Sequence, residues 1–152
     1  MSRLNFKSTK LQIDYKSTNN MTTDKTVNAD KVIYKDLSYK VVGILFEVYN
    51  ELGYGYKEKY YEKAISKCFI RENIKFKSQV PYPLTFKGET IGQYYLDFLI
   101  DDKIVLEIKK GNYFNRKNIE QVKEYLKVTK MKLAILANFT SNGVKSLRIL
   151  NA

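Results

Sequence analysis

Apolar residues recur along the chain with two different periods, and the switches between them divide it into helices and strands. Leu37, Val41, Leu45, Val48 and Leu52 stand three or four residues apart, the spacing of one buried helix face. They predict a helix from about Asp36 to Leu52, with Asp36 or Ser38 placed to cap its start and Gly53 to close it. After the turn Gly53-Tyr-Gly55, the apolar stripe Tyr61, Ala64, Ile65, Cys68 and Phe69 predicts a second helix, roughly Glu58 to Asn73. A third, about Arg116 to Thr129, turns Ile119, Val122 and Leu126 inward.

Between and after the helices the period shortens to two. Candidate strands run over Lys75–Val80 and Tyr82–Phe86, where Pro81 and Pro83 mark an edge or a bend. Lys87-Gly-Glu-Thr90 turns the chain into Ile91–Ile100, followed by Lys103–Lys109. The apolar run Lys132–Phe139 is short enough for a buried strand. Ser141-Asn-Gly143 turns it, and Leu147–Leu150 gives a last strand. This order predicts an α/β fold, a central mixed β-sheet flanked by helices. Residues 1–34 are rich in Ser, Thr, Asn and Lys and hold no period. They are expected to form a polar, disordered tail, with at most a short ordered arm at Leu11–Tyr15, ahead of one domain over 35–152.

The segment from Tyr95 to Lys109 carries candidate chemistry. Alternation places Leu96, Phe98 and Ile100 on one face of a strand and Tyr95, Asp97 and Leu99 on the other. On the next strand Val105, Glu107 and Lys109 share a face. If Asp101-Asp102-Lys103 is a three-residue loop, residue 100 lies opposite 104, and Asp97 lies opposite Glu107. Cross-strand partners have Cβ atoms about 4.5–5.5 Å apart. Two carboxylates at about 4 Å repel by roughly 4 kcal/mol at an effective dielectric near 20. A divalent cation between them would turn that repulsion into binding, since hard cations take carboxylate and carbonyl oxygens. The plainer reading is that Lys109 neutralises Glu107 on a solvated face.

Composition excludes several alternatives. The 152 residues contain no histidine, which removes histidine-ligated zinc and every histidine-based catalytic dyad or triad. The formal charge of +11 calls for an acidic partner, nucleic acid foremost, although ribosomal and membrane-surface proteins are equally basic. Cys68, the only cysteine, cannot form an internal disulfide and falls in the apolar stripe of the second helix, as a buried small side chain would. No apolar run reaches 18 residues and no signal-peptide pattern opens the chain. The expected location is therefore intracellular, in the cytoplasm, nucleus or nucleoid, and neither secreted nor in a membrane.

With these motifs in order, the chain resembles the GxxExxY family, a branch of the PD-(D/E)XK nuclease-like superfamily, over about residues 36–150. The carriers are Gly55-Tyr-Lys-Glu58-Lys-Tyr-Tyr61, Asp97, Glu107-Ile-Lys109 and Gln121-Val-Lys-Glu-Tyr125. Glu47-Val-Tyr-Asn-Glu-Leu-Gly53 and Gln79-Val-Pro81 add context.

The resemblance implies a restriction-endonuclease-like αβββαβ core and a DNA nuclease dependent on Mg²⁺ or Mn²⁺, acting in repair, recombination or defence. Asp97, Glu107 and the Ile108 carbonyl would hold the metal, Lys109 would assist the attacking water, and Glu58 would add a further carboxylate for that water or as a ligand to a second cation. Gln121 and Tyr125 would position these groups. Lys110, Arg116, Lys117 and Lys123 would follow the nucleic-acid backbone. The same resemblance leaves room for a homodimer.

Blander explanations stand beside these roles: a favourable acid in a first helical turn for Glu58, packing for Tyr125, and solvated charges for the lysines. The alternative function is a catalytically inactive, basic DNA-binding or architectural protein on the same scaffold. The chain departs from the superfamily pattern at Leu96, where proline gives the group its name, and at Tyr95, where an arginine is frequent. Glu47 is read as a surface charge.

Overall fold

The computed structural model describes residues 32–152. The expected polar tail and its arm at Leu11–Tyr15 lie outside the described residues, apart from the last three positions. Helices α1 (Lys35–Leu52) and α2 (Glu58–Arg71) come first. The strands β1 (Phe76–Phe86), β2 (Glu89–Ile100) and β3 (Ile104–Lys110) follow, then α3 (Arg116–Thr129), β4 (Leu133–Thr140) and β5 (Gly143–Leu150). One sheet takes the strands in chain order. Every neighbouring pair is antiparallel except β3 and β4, which run parallel across the α3 connection. The result is a mixed five-stranded sheet flanked by helices.

The apolar periods account for both layers. Val41, Leu45 and Val48 of α1, with Tyr61, Ile65 and Phe69 of α2, pack on Phe98, Ile100, Ile104, Leu106, Ile108, Ile135 and Phe139. On the opposite face Val122, Tyr125 and Leu126 of α3 cover Leu99, Val105, Ala134, Leu136 and Ile149. Strands β3 and β4 are buried on both faces, as a strand between two helical layers must be.

Several boundaries differ from expectation. The two segments expected around Pro81 and Pro83 form one continuous edge strand. The prolines stand two residues apart, opposite Tyr95 and Gln93, so their missing N–H groups fall on the same side of the strand. An edge strand tolerates this on its unpaired side. Neither Asp36 nor Ser38 caps α1. Its N-cap is Tyr34 in a left-handed conformation, and the Ser38 hydroxyl donates back to the Tyr34 carbonyl. Strand β5 begins four residues earlier than expected, because Val144, Lys145 and Ser146 continue the pairing with β4.

The β2–β3 hairpin has the expected register, with Ile100 opposite Ile104 and Phe98 opposite Leu106. Asp101 and Asp102 both take left-handed backbone angles, and the Lys103 N–H closes the turn on the Ile100 carbonyl at 2.9 Å. Aspartate, with its short polar side chain, tolerates that region better than most residues.

Alternation along β2 fails at one point. Leu96 joins the α3-side cluster, whereas Phe98 and Ile100 face α1 and α2, so the face expected to be shared by all three is not. The break falls at Asp97. There the β2–β3 ladder stops, and the β1–β2 register passes from Ser78↔Phe98 to Val80↔Leu96 without pairing the residues between.

Candidate active site

The irregularity at Asp97 opens a gap between β2 and β3, and the Asp97 side chain fills it. Its Oδ2 accepts the Ile108 N–H at 2.8 Å, replacing the backbone bond that a continued ladder would make. In a strand the N–H and C=O of one residue point to the same edge. The Ile108 carbonyl therefore looks into the same gap. Glu107 precedes it, nearly inaccessible at 3% exposure, on the sheet face that packs against α3. Its Oε2 is enclosed and accepts no hydrogen bond from the protein.

Burial, and then the neighbouring Asp97 carboxylate, push the Glu107 carboxyl up to about 10 from its ordinary 4.5; Lys109 and the Tyr125 hydroxyl work against that shift. Tyr125 is itself raised, first by burial and then by the charge of Glu107. Its ring is buried and meets Tyr94 edge-on at 5.4 Å, and the Tyr94 hydroxyl donates to Glu124 at 3.0 Å. Gln121, one turn earlier on α3, acts on the Tyr125 hydroxyl. The two α3 residues singled out by the sequence thus stand behind Glu107.

Helix α2 approaches from the other side of the sheet, and Tyr61 fixes its first turn. The Tyr61 hydroxyl donates to the Gly53 carbonyl at 2.6 Å and accepts the Tyr56 N–H at 3.3 Å, while the ring stacks on Phe139 with centroids 4.1 Å apart. That anchoring sets Glu58 beside the end of β3, where its Oε2 accepts the Lys110 N–H at 3.0 Å. Four residues on, Glu62 reaches further in. It accepts a hydrogen bond from Gln79 at 2.7 Å, and Gln79 also donates to Asp97 Oδ1 at 3.4 Å. Burial, and next the charge of Asp97, raise Glu62 to about 7.

Glu62 was not singled out by the sequence, and Gln79 only as part of Gln79-Val-Pro81. The available signal was the one-turn spacing of Glu62 from Glu58, which puts both acids on one helix face.

The basic residues take varied positions. Asn138 donates to the Tyr113 carbonyl at 2.7 Å, and the Asn112 side chain accepts the Ser141 N–H at 3.0 Å, tying the β3–α3 loop to β4 and its turn. Asn115 caps α3 by accepting the Lys117 N–H, and Arg116 and Lys117 are exposed there, at the β3 end of the helix. Lys110 is exposed with its ammonium 5.9 Å from the Tyr54 ring. Lys123 is exposed and pairs with Glu120 at 3.7 Å. Tyr95 is 60% exposed. Glu47 lies on the surface in a two-pronged contact with Arg71 at 2.7 and 2.8 Å.

Over residues 35–149 the chain matches a family model described as the PD-(D/E)XK nuclease superfamily. The chain belongs to that superfamily. A nuclease-like scaffold follows, and metal-dependent nucleases are the usual members of the group. The chain is also similar to a solved protein, "Crystal structure of SSO0001", at 14% identity and a TM-score of 0.48, over 95% of this chain and 77% of that one. No curated protein matches it.

Superfamily members typically use Mg²⁺ or Mn²⁺, and the donor set here suits such an ion. Among the described residues no three His, Cys, Asp or Glu side chains converge to hold a metal by themselves. Asp97, Glu107 and the Ile108 carbonyl instead offer two carboxylates and one backbone oxygen, all hard donors, with one carboxylate oxygen orphaned. Mg²⁺ commonly keeps several waters and takes only one or two carboxylates. Glu58, engaged by the Lys110 N–H, is not gathered to that pair.

Proposed function

We propose that this protein is a nuclease that hydrolyses DNA phosphodiester bonds with Mg²⁺ or Mn²⁺. The observation that carries the reading is the enclosed Glu107 carboxyl, with an orphaned oxygen, beside Asp97 where the hairpin ladder opens. A buried pair of like charges is costly, and a cation removes the cost.

Asp97, Glu107 and the Ile108 carbonyl would hold the ion. When bound, it would lower the pKa of a coordinated water and neutralise charge on the phosphate. Lys109 is two residues from Glu107 on the same strand face and half-buried; its ammonium would orient the attacking water and meet the charge that develops on the scissile phosphate. Tyr125 and Gln121 would hold Glu107 in one orientation. Glu58 would steady the end of β3 through Lys110 and leave a carboxylate near the water. Lys110, Arg116, Lys117 and Lys123 would follow the DNA backbone, in keeping with the chain's +11 charge.

Within the superfamily this reading assigns the chain to the GxxExxY branch, supported by Glu58 and Tyr61 at the start of α2, where Gly55 takes a φ of +112°. Intracellular work in repair, recombination or defence, as a monomer or homodimer, fits it. The test is DNA cleavage by the purified chain. Cutting should require Mg²⁺ or Mn²⁺, stop in EDTA and vanish in Lys109→Ala. DNA binding at low salt that ignores EDTA and Lys109→Ala, without cutting, would establish the inactive architectural alternative instead.

A further inference from the structure

Gln79 hydrogen-bonds both Glu62 of α2 and Asp97 at the gap, and it does so from an unfavourable backbone conformation. Its φ is +50° within an edge strand, in the left-handed region that residues with a Cβ other than Asn and Asp rarely adopt. Strain of this kind persists where the surroundings over-determine it, and it clusters at functional sites. Here the surroundings are two carboxylates. The Gln79 amide nitrogen donates to Glu62 Oε1 at 2.7 Å and to Asp97 Oδ1 at 3.4 Å. An amide carries two N–H donors on that nitrogen, so one group serves both acids.

The consequence falls on Asp97. With Oδ2 held by the Ile108 N–H and Oδ1 held by Gln79, its carboxylate is fixed at both oxygens. We propose that Gln79, itself aimed by Glu62, is a positioning residue that sets the Asp97 carboxylate for cation binding. This rests on the nuclease reading above and adds to it a supporting pair that lies 17 residues apart in sequence. A purely structural tie between α2 and β1 would use the Glu62–Gln79 bond alone. The second contact, to Asp97, is what the metal should sense.

The full chain tests this with four variants and three measurements: thermal unfolding in EDTA, Mn²⁺ binding by calorimetry and the Mn²⁺ dependence of DNA cutting. Gln79→Gly removes the amide and relaxes the left-handed strain. Its melting temperature should equal that of the wild type or exceed it by up to about 5 °C. Its Mn²⁺ half-saturation should rise about tenfold or more, the usual scale for losing a residue that orients a metal ligand. Gln79→Asn tolerates the same backbone but is one methylene too short, and should show the same Mn²⁺ defect. Glu62→Gln keeps an accepting oxygen and should stay within about threefold of wild type, whereas Glu62→Ala should behave like the Gln79 variants.

Both Gln79 variants binding and using Mn²⁺ as the wild type does would overturn the positioning role and leave the nuclease reading intact. A Gln79→Gly protein that melts lower, with Mn²⁺ use unchanged, would reduce the pair to a brace. A wild-type chain that neither binds Mn²⁺ nor cuts DNA would sink both readings.

Discussion

Asp97 Oδ2 accepts the Ile108 N–H at 2.8 Å, so a side chain stands where the backbone of β2 should be. The substitution turns a strand pair into a site. It ends the ladder, brings the Ile108 carbonyl to the gap and leaves the neighbouring Glu107 carboxyl facing an acid instead of solvent. Asp97→Asn keeps an accepting oxygen for Ile108 and should fold with a melting temperature within a few degrees of wild type. Cutting should drop roughly a thousandfold or more, since several kcal/mol of charge stabilisation disappear at about 1.4 kcal/mol per factor of ten. Single-turnover cleavage and a thermal melt separate the two effects.

Without metal, Glu107 makes the fold sensitive to alkali. Its carboxyl is held near 10 in the folded chain against 4.5 ordinarily, so between those values the native state keeps a proton that the unfolded state has lost. Stability therefore falls as pH rises through that window. Glu62, raised to about 7, adds to the slope between 4.5 and 7. In EDTA, Glu107→Gln should be more stable than wild type at pH 8, and the advantage should shrink towards pH 4. Urea midpoints at both pH values give the answer.

The same protonation links metal to pH. A cation that needs the Glu107 carboxylate must expel its proton. Mn²⁺ affinity should rise with pH from 6 towards 9, and binding should release close to one proton. Calorimetry in buffers of different ionisation enthalpy measures that release directly.

Tyr125→Phe retains the ring that meets Tyr94 at 5.4 Å and removes only the hydroxyl that acts on Glu107. Activity should fall about tenfold to a hundredfold with little change in melting temperature. An unchanged rate would assign Tyr125 to packing alone.

Far from the site, Arg148 donates to Ser38 Oγ at 2.7 Å and to the Ile33 carbonyl at 2.8 Å from a buried position on β5. Arg148→Met should cost about 2–3 kcal/mol, the scale of a hydrogen bond to a charged group whose partners are left buried. The specific activity of the folded fraction should be preserved, and a urea titration followed by an assay below the transition shows both.

Local patterns gave the elements their type, and tertiary pairing set their limits. The α3 stripe of Val122 and Leu126 needed no outside information, and α3 runs over the expected residues. The Asp101-Asp102-Lys103 loop fixed the hairpin register because a three-residue connection leaves little freedom. Continuity of β1 through Pro81 and Pro83 was not legible, since it depends on which side of the strand is unpaired. The same holds for Leu96, whose face is set by the break at Asp97 and not by alternation. Asp97, Glu107 and Lys109 stood out because two strands and one short loop bring them together. Glu62 and Gln79 did not, because a helix and an edge strand meet there only after the sheet has formed.

Crystals soaked in Mn²⁺ give the most direct test of the whole account. Anomalous density should appear in the gap between β2 and β3, with Asp97, Glu107 and the Ile108 carbonyl oxygen each about 2.1 Å from one ion. Density elsewhere on the molecule, or a gap that stays empty at saturating Mn²⁺, would contradict it.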